Sequence, residues 1–264
     1  MHNFNYHRPK TLSEASEIFS GAEDAVYLAG GQTLIPTLKQ RLRRPSDVID
    51  LSHLAELRGI AVEKDAVVIG AMTRHGEVAA SADVRRLIPA LAHLAGEVGD
   101  PQVRHLGTLG GSLANSDPAA DYPAAVLALG AMIHTPTRAV AADDFFTGLF
   151  ETALEPGEMI VKVSFPVPKR AAYMKFRNPA SRYAVAGVCV AETASGVRVA
   201  VTGAGPNAFR QTEMETVLSK SFTPGALAGI VVSEEDLNSD LHATAAYRAH
   251  LVGVMARRAV EALI

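Results

Sequence analysis

The sequence contains one cysteine, Cys189, and no tryptophan among its 264 residues. A single thiol cannot close an intrachain disulfide, nor can it alone supply the cysteine set of a zinc or iron–sulfur site. Any iron–sulfur chemistry therefore has to reside on another chain. Charge of one sign is also lacking: 25 Lys and Arg face 28 Asp and Glu, a formal charge of −3, without a long block of like charge. The electrostatic footprint of a nucleic-acid binder is missing, so no nucleic-acid partner is expected. No uninterrupted apolar stretch approaches membrane-spanning length, and residues 1–10 are polar and aromatic rather than a charged stub before an apolar run. A cytoplasmic location without a membrane span is the expectation. Nine histidines include no HxH or HExxH arrangement, and the strongest pair, His2 and His7, lies at the terminus. No metal is expected on this chain. Ser112, Ser116 and Ser181 lack a GxSxG elbow, which argues against a hydrolase.

What remains is a globular composition, 48% apolar and 20% charged, with 21 Gly and 14 Pro spread along the chain. The length suits one large domain or two moderate ones. Periodicity predicts a helix over 11–19 and a short strand over 25–28 that runs into Gly30 and Gly31. Leu34, Leu38 and Leu42 then recur every four residues, with Lys39, Arg41, Arg43 and Arg44 completing a helix end before Pro45. A strand over 47–51 and a hairpin over 60–71 follow, then helices near 73–81 and 88–98, the second bounded by Gly99, Asp100 and Pro101. After the glycine-punctuated segment 107–115, Asp117-Pro118 reads as an N-cap with proline at the first helical position of an Ala-rich helix to Leu129. Alternation over 159–165 breaks at Pro166 and Pro168, where a domain boundary is expected. Beyond it, strands near 173–176, 184–192 and 197–202 precede helices, the last over 244–263, which predicts a small α+β domain. Cys189 falls within an apolar strand, a packing position rather than a redox one.

A Gly-Gly pair between strand and helix lets backbone approach a ligand, and free N–H groups there can point at an anion such as a diphosphate. Residues 29–33 (AGGQT) add the Gln32 amide and the Thr33 hydroxyl, but no Gly-Lys-Ser/Thr or GxGxxG spacing follows. Residues 108–112 (TLGGS) repeat the same chemistry, and Asp117 and Asp121 stand four residues apart just beyond. Either aspartate can accept from a ribose or ribityl hydroxyl; alternatively Asp117 caps the following helix and Asp121 complements its dipole.

Residues 29–42 (AGGQTLIPTLKQRL), 107–130 (GTLGGSLANSDPAADYPAAVLALG) and 175–190 (KFRNPASRYAVAGVCV) together resemble the FAD-binding medium subunit of molybdenum hydroxylases. That family includes the flavoprotein subunit of carbon monoxide dehydrogenase and the flavin domain of xanthine dehydrogenase. The resemblance runs in order from about Phe4 to the last helix. It implies an α+β fold: an FAD-binding domain of the vanillyl-alcohol oxidase/PCMH type over 1–167, made of two α+β subdomains at about 1–53 and 54–167. A small α+β C-terminal domain over 168–264 would follow. Carried over by position, Ala29, Gly30, Gly31, Gln32 and Thr33 would hold the FAD diphosphate, joined by Thr108, Leu109, Gly110, Gly111 and Ser112, with Leu28 and Leu34 as flanking cofactor-binding positions. Asp121 would bind a sugar or ribityl hydroxyl, and Ile160 and Lys175 match further flavin-contacting positions. Tyr183 sits where the family often places an aromatic residue near the isoalloxazine ring; packing in the core is the alternative.

The chain departs from the family pattern where Asn-Arg commonly precedes the second glycine loop, since His105-Leu106 stands there. Gln32 occupies the place of the histidine in covalently flavinylated relatives, so noncovalent FAD is expected. The resemblance implies electron transfer rather than substrate chemistry on this chain. A molybdopterin-binding large subunit and a small subunit with two-iron two-sulfur clusters would be its partners, as a dimer of heterotrimers. FAD would pass their electrons to an external acceptor, and no catalytic acid or base is nominated. A self-sufficient flavin oxidase or reductase and a flavin-free scaffold of the same fold are the alternatives.

Overall fold

The computed structural model describes residues 1–264. Its first layer is a three-stranded parallel sheet in which Asp47–Asp50 lies between Asn5–His7 and Ala25–Leu28. The crossover helix Leu12–Gly21 is started by Thr11, whose hydroxyl accepts from the Glu14 N–H at 3.1 Å, while the Glu14 carboxylate accepts from the Lys10 N–H at 2.7 Å. Ala15, Ala25, Ile49 and Leu51 join Leu54, Leu57, Met72 and Met159 in a small core beneath it.

A five-stranded antiparallel sheet follows, in the order Ile60–Glu63, Ala66–Gly70, Lys162–Pro166, Met132–His134, Ala139–Ala141. Helices His75–Ala80, Ala82–Leu87, Pro89–Glu97 and Tyr122–Ala128 contribute to its core, the largest in the molecule. The C-terminal part is a four-stranded antiparallel meander, Arg170–Arg177, Ala184–Thr193, Gly196–Thr202 and Phe209–Arg210, packed under helices Thr212–Lys220 and Ala245–Glu261. Strand Ala184–Thr193 is buried on both faces. Val188 and Val190 face the C-terminal helices, whereas Cys189 and Ala191 join the large core, so the strand reads as an unbroken apolar run. No helix is long and apolar enough to cross a membrane.

Three local readings of the sequence change. The helix after the first glycine pair ends at Lys39, not at Pro45. Arg41 takes a left-handed φ of 61°, its N–H and that of Leu42 donate to the carbonyls of Leu38 and Thr37, and Leu42 is left 74% exposed. This Schellman turn stops the helix six residues after it starts. The Ala-rich helix begins at Tyr122 rather than Pro118, because the carbonyls of Pro118, Ala119 and Ala120 turn outward to Gly203, Ala184 and Thr202 of the C-terminal sheet. Asp100-Pro101 starts a helix, Pro101–Leu106, with Asp100 accepting from the Val103 N–H at 2.9 Å. Helix Ala82–Leu87 is a further element that the periodicity did not separate.

Burial pushes the Cys189 thiol up to about 12, in keeping with its packing position. A thiol-specific chromogenic reagent should label no site in the folded chain and one per chain in denaturant; rapid labelling without denaturant would contradict this packing.

Candidate functional site

The two glycine loops meet because glycine lets their backbones touch. A Cβ at Gly30 would lie 2.3 Å from the Leu106 carbonyl oxygen and 2.8 Å from the Gly107 Cα. One at Gly110 would lie 2.6 Å from the Ala71 Cβ, and the Gly110 N–H donates to the Ala71 carbonyl at 2.8 Å. A Cβ at Gly111 would meet the Thr108 hydroxyl oxygen at 2.9 Å and the Ala29 Cβ at 3.4 Å. Gly31 has a left-handed φ of +70°, and a Cβ there would lie 2.6 Å from the Ile35 Cδ1. These glycines therefore seat the loops on the protein itself, beyond the ligand clearance read from the sequence. Valine at Gly31 or Gly111 would strain the fold whether or not a ligand is bound.

The loops differ in their amides. From Ala29 to Leu34 no backbone N–H finds an acceptor on the chain, and Thr33 offers no side-chain cap to the short helix Leu34–Lys39. In the second loop the N–H groups of Leu109, Gly110, Gly111 and Ser112 donate to the Thr73 carbonyl, the Ala71 carbonyl, the Thr108 hydroxyl and the Thr108 carbonyl. Only the first loop presents an open row of donors, the arrangement that binds anions.

Between the loops lies a cavity of about 790 Å³, within the roughly 300–1,000 Å³ of small-molecule and cofactor sites. It gathers Ala29, Gly30, Gly31, Gln32, Thr33 and Leu34, Thr108, Gly110, Gly111 and Ser112, Asp117 and Asp121, and Ile160 and Tyr183. Leu28, Leu109 and Lys175 stand outside its lining. Leu28 ends the strand Ala25–Leu28, Leu109 is fully buried in the core, and Lys175 lies behind Asp121. The side chains of Gln32, Thr33 and Ser112 have no partner on the chain. Tyr183 is 46% exposed, which excludes the core-packing alternative. Asp117 accepts from the Ala119 N–H at 2.9 Å and so caps a turn, while burial raises its carboxyl above the ordinary range. Met72, His75, Val98, Gly99, Val103 and Asn115 are among the other residues of the wall. Sequence reasoning missed these; only Gly99 carried a local signal, as part of a helix stop.

Asp121 and Lys175 are buried together, their side chains 4% and 2% exposed. The Lys175 ammonium lies 2.9 Å from Asp121 Oδ1 and 3.0 Å from Oδ2, and donates also to the Glu97 carbonyl at 3.0 Å. Burial raises the Asp121 carboxyl, and Lys175 and the Tyr173 phenol oppose it.

A family model described as the FAD binding domain in molybdopterin dehydrogenase matches residues 2–168, and one described as the CO dehydrogenase flavoprotein C-terminal domain matches residues 171–263. The chain belongs to this family of FAD-binding medium subunits of molybdenum hydroxylases. The carbon monoxide dehydrogenase medium chain of Hydrogenophaga pseudoflava is 37% identical, over 98% of this chain and 96% of its own. The glyceraldehyde dehydrogenase medium chain of Sulfolobus acidocaldarius is 34% identical over 98% and 97%. The reconstituted CO dehydrogenase from Oligotropha carboxidovorans contains a chain that superposes with a TM-score of 0.92 at 36% identity, covering 98% of this chain and 97% of that one. The medium-subunit fold thus accounts for nearly the whole chain.

His75, in the wall of this medium subunit's cavity, is buried beside Tyr122, with ring centroids 5.3 Å apart, and neither its Nδ1 nor the Tyr122 hydroxyl has a partner on the chain. Burial, aided by the Arg104 charge, pushes the imidazole down to about 4. Unfolding then favours proton uptake below about pH 6.5, so His75 subtracts stability as pH falls from there towards 4 and adds no pH dependence above. Between pH 7.5 and 5 its share is about 2 kcal/mol. Urea unfolding of His75→Gln should lose about that much less stability over this interval than the wild type; an equal loss in both would contradict a neutral buried His75.

Proposed function

We propose that the cavity holds FAD without a covalent bond, extended between the two glycine loops and the Tyr183 loop, and that this chain serves as the electron-transfer subunit of a molybdenum hydroxylase. The observation that carries the reading is the row of free amides over Ala29–Leu34, closed against the second loop at the edge of a cofactor-sized cavity. The residues present fit a flavin dinucleotide: open donors for a diphosphate, the hydroxyls of Thr33 and Ser112 beside them, and carboxylates at Asp117 and Asp121 for sugar or ribityl hydroxyls.

FAD, when bound, supplies the redox chemistry of the subunit. The protein's own work is to bind and orient. The first loop takes diphosphate charge on main-chain donors, which cost no side-chain entropy to order. The second loop, its own amides already satisfied, contributes hydroxyl side chains. Ile160, Met72, Val98 and Val103 provide apolar wall, and half-exposed Tyr183 borders the opening. No residue is assigned as a catalytic acid or base.

The reading extends to the assembly. Residues 1–167, with subdomains at about 1–53 and 54–167, would form the flavin-binding unit, and 168–264 the unit that brings Tyr183 to it. Electrons would arrive from two-iron two-sulfur clusters of a small subunit, after substrate oxidation on a molybdopterin-binding large subunit. A dimer of such heterotrimers in the cytoplasm would be the working form. A self-sufficient oxidase would instead purify without those partners.

Titration of the deflavinated full chain with FAD and with FMN tests the site. FAD should bind one per chain and at least about tenfold more tightly than FMN, because only FAD carries the diphosphate that the first loop is built to hold. Equal affinity for the two, or no binding of FAD, would contradict the reading.

A further inference from the structure

Asp121 faces the cavity at the bottom of a buried polar chain that includes one residue without an assigned role. The Tyr173 hydroxyl donates to Asp121 Oδ1 at 2.5 Å; the tyrosine is itself fully buried and, unlike Asp121, does not line the cavity. Room for that phenol is specified from the neighbouring strand. A Cβ at Gly187, diagonal to Tyr173 in strand register, would stand 2.5 Å from the Tyr173 oxygen, so glycine at that position leaves the hydroxyl room to reach Asp121. Lys175 balances the charge of Asp121 but, as an ammonium point charge shared between both carboxylate oxygens and the Glu97 carbonyl, it does not single out one oxygen. The phenol is directional and anchors one oxygen. An ionised carboxylate has about four acceptor sites; Tyr173 and Lys175 donate one hydrogen bond each, to Oδ1 and Oδ2, which leaves acceptor capacity for the cavity.

We infer that Tyr173 is a positioning residue of the cofactor site: its phenol, admitted by Gly187, holds the Asp121 carboxylate as an oriented acceptor for a hydroxyl of the bound flavin nucleotide. The inference rests on the reading of this cavity as the FAD site and assigns to Tyr173 no contact with the cofactor. Besides burial, the groups that set the charge of Asp121 are Lys175 and Tyr173 on strand Arg170–Arg177 and Glu97 at the end of helix Pro89–Glu97; Tyr122 and Tyr183 in turn feel the Asp121 charge, and Asp117 also lines the cavity. Cys189 stands behind Tyr173 and is neutral. Loss of the phenol removes a donor that favours the ionised carboxylate, so the carboxyl takes a proton at higher pH and becomes a weaker acceptor for the ligand there.

The test is FAD binding by the deflavinated full chain, followed by flavin fluorescence from pH 5 to 8, for the wild type, Tyr173→Phe and Gly187→Ala. Tyr173→Phe should weaken FAD binding about tenfold at neutral pH and move the acid midpoint of binding upward by about one pH unit. Gly187→Ala, which crowds the phenol oxygen, should shift the midpoint in the same direction, and should add little once Tyr173 is already Phe. Weaker binding with an unmoved midpoint would mean that Tyr173 only packs, and would overturn the inference, as would binding equal to that of the wild type. If the wild-type chain itself binds no FAD, the reading of the cavity falls and takes this inference with it; if only the variant comparison fails, the cavity reading stands.

Discussion

The structure depends on the approach of Gly30 to the backbone of Leu106 and Gly107. At a Cβ-to-oxygen distance of 2.3 Å no side chain fits, so this contact exists only because position 30 has none. It joins the parallel three-stranded sheet to the helical layer of the five-stranded one and sets the width of the cleft between them. Gly110 against Ala71 and Gly111 against Ala29 extend the same seam. The cavity is the space left where these backbones diverge.

Along that seam the two loops divide the labour. Buried amides without acceptors are costly, on the order of 1–3 kcal/mol each, so a folded chain leaves a row of them free only where solvent or a ligand can reach. The first loop does so over Ala29–Leu34, and each of those residues borders the cavity. The second loop is tied to the Ala71 and Thr73 carbonyls and to Thr108, which makes it a rigid wall. The sequence presents both loops as like amide cradles, and the structure separates them: the wall has its amides satisfied and only side chains left over, while the open loop has free backbone donors.

Much of this was legible in the residues. The hairpin over 60–71, the apolar strand carrying Cys189 and the final helix capped by Thr244 follow from local pattern, because each is decided by its own residues. Two Asp-Pro pairs show where pattern fails. Asp100-Pro101 starts a helix because the Val103 amide is free to bond Asp100, whereas Asp117-Pro118 does not, because distant strands claim the next three carbonyls. Nothing local distinguishes the two. Asp121 drew notice by its spacing from Asp117, and Lys175 only through likeness to a known family, yet their mutual pairing, and Tyr173 behind them, became visible only when strand register set Lys175 opposite Gly187. His75 had no signal at all, being a single histidine at the start of a short helix, His75–Ala80, that tertiary packing buries.

Hydrogen–deuterium exchange of the deflavinated full chain, with and without saturating FAD, tests this division of labour most directly. Amides over 109–112 should already be protected before FAD is added, because they bond within the protein, while those over 29–34 should exchange freely and become protected only with FAD. Unchanged exchange over 29–34 at saturating FAD, or equally open amides in both loops without it, would contradict the account.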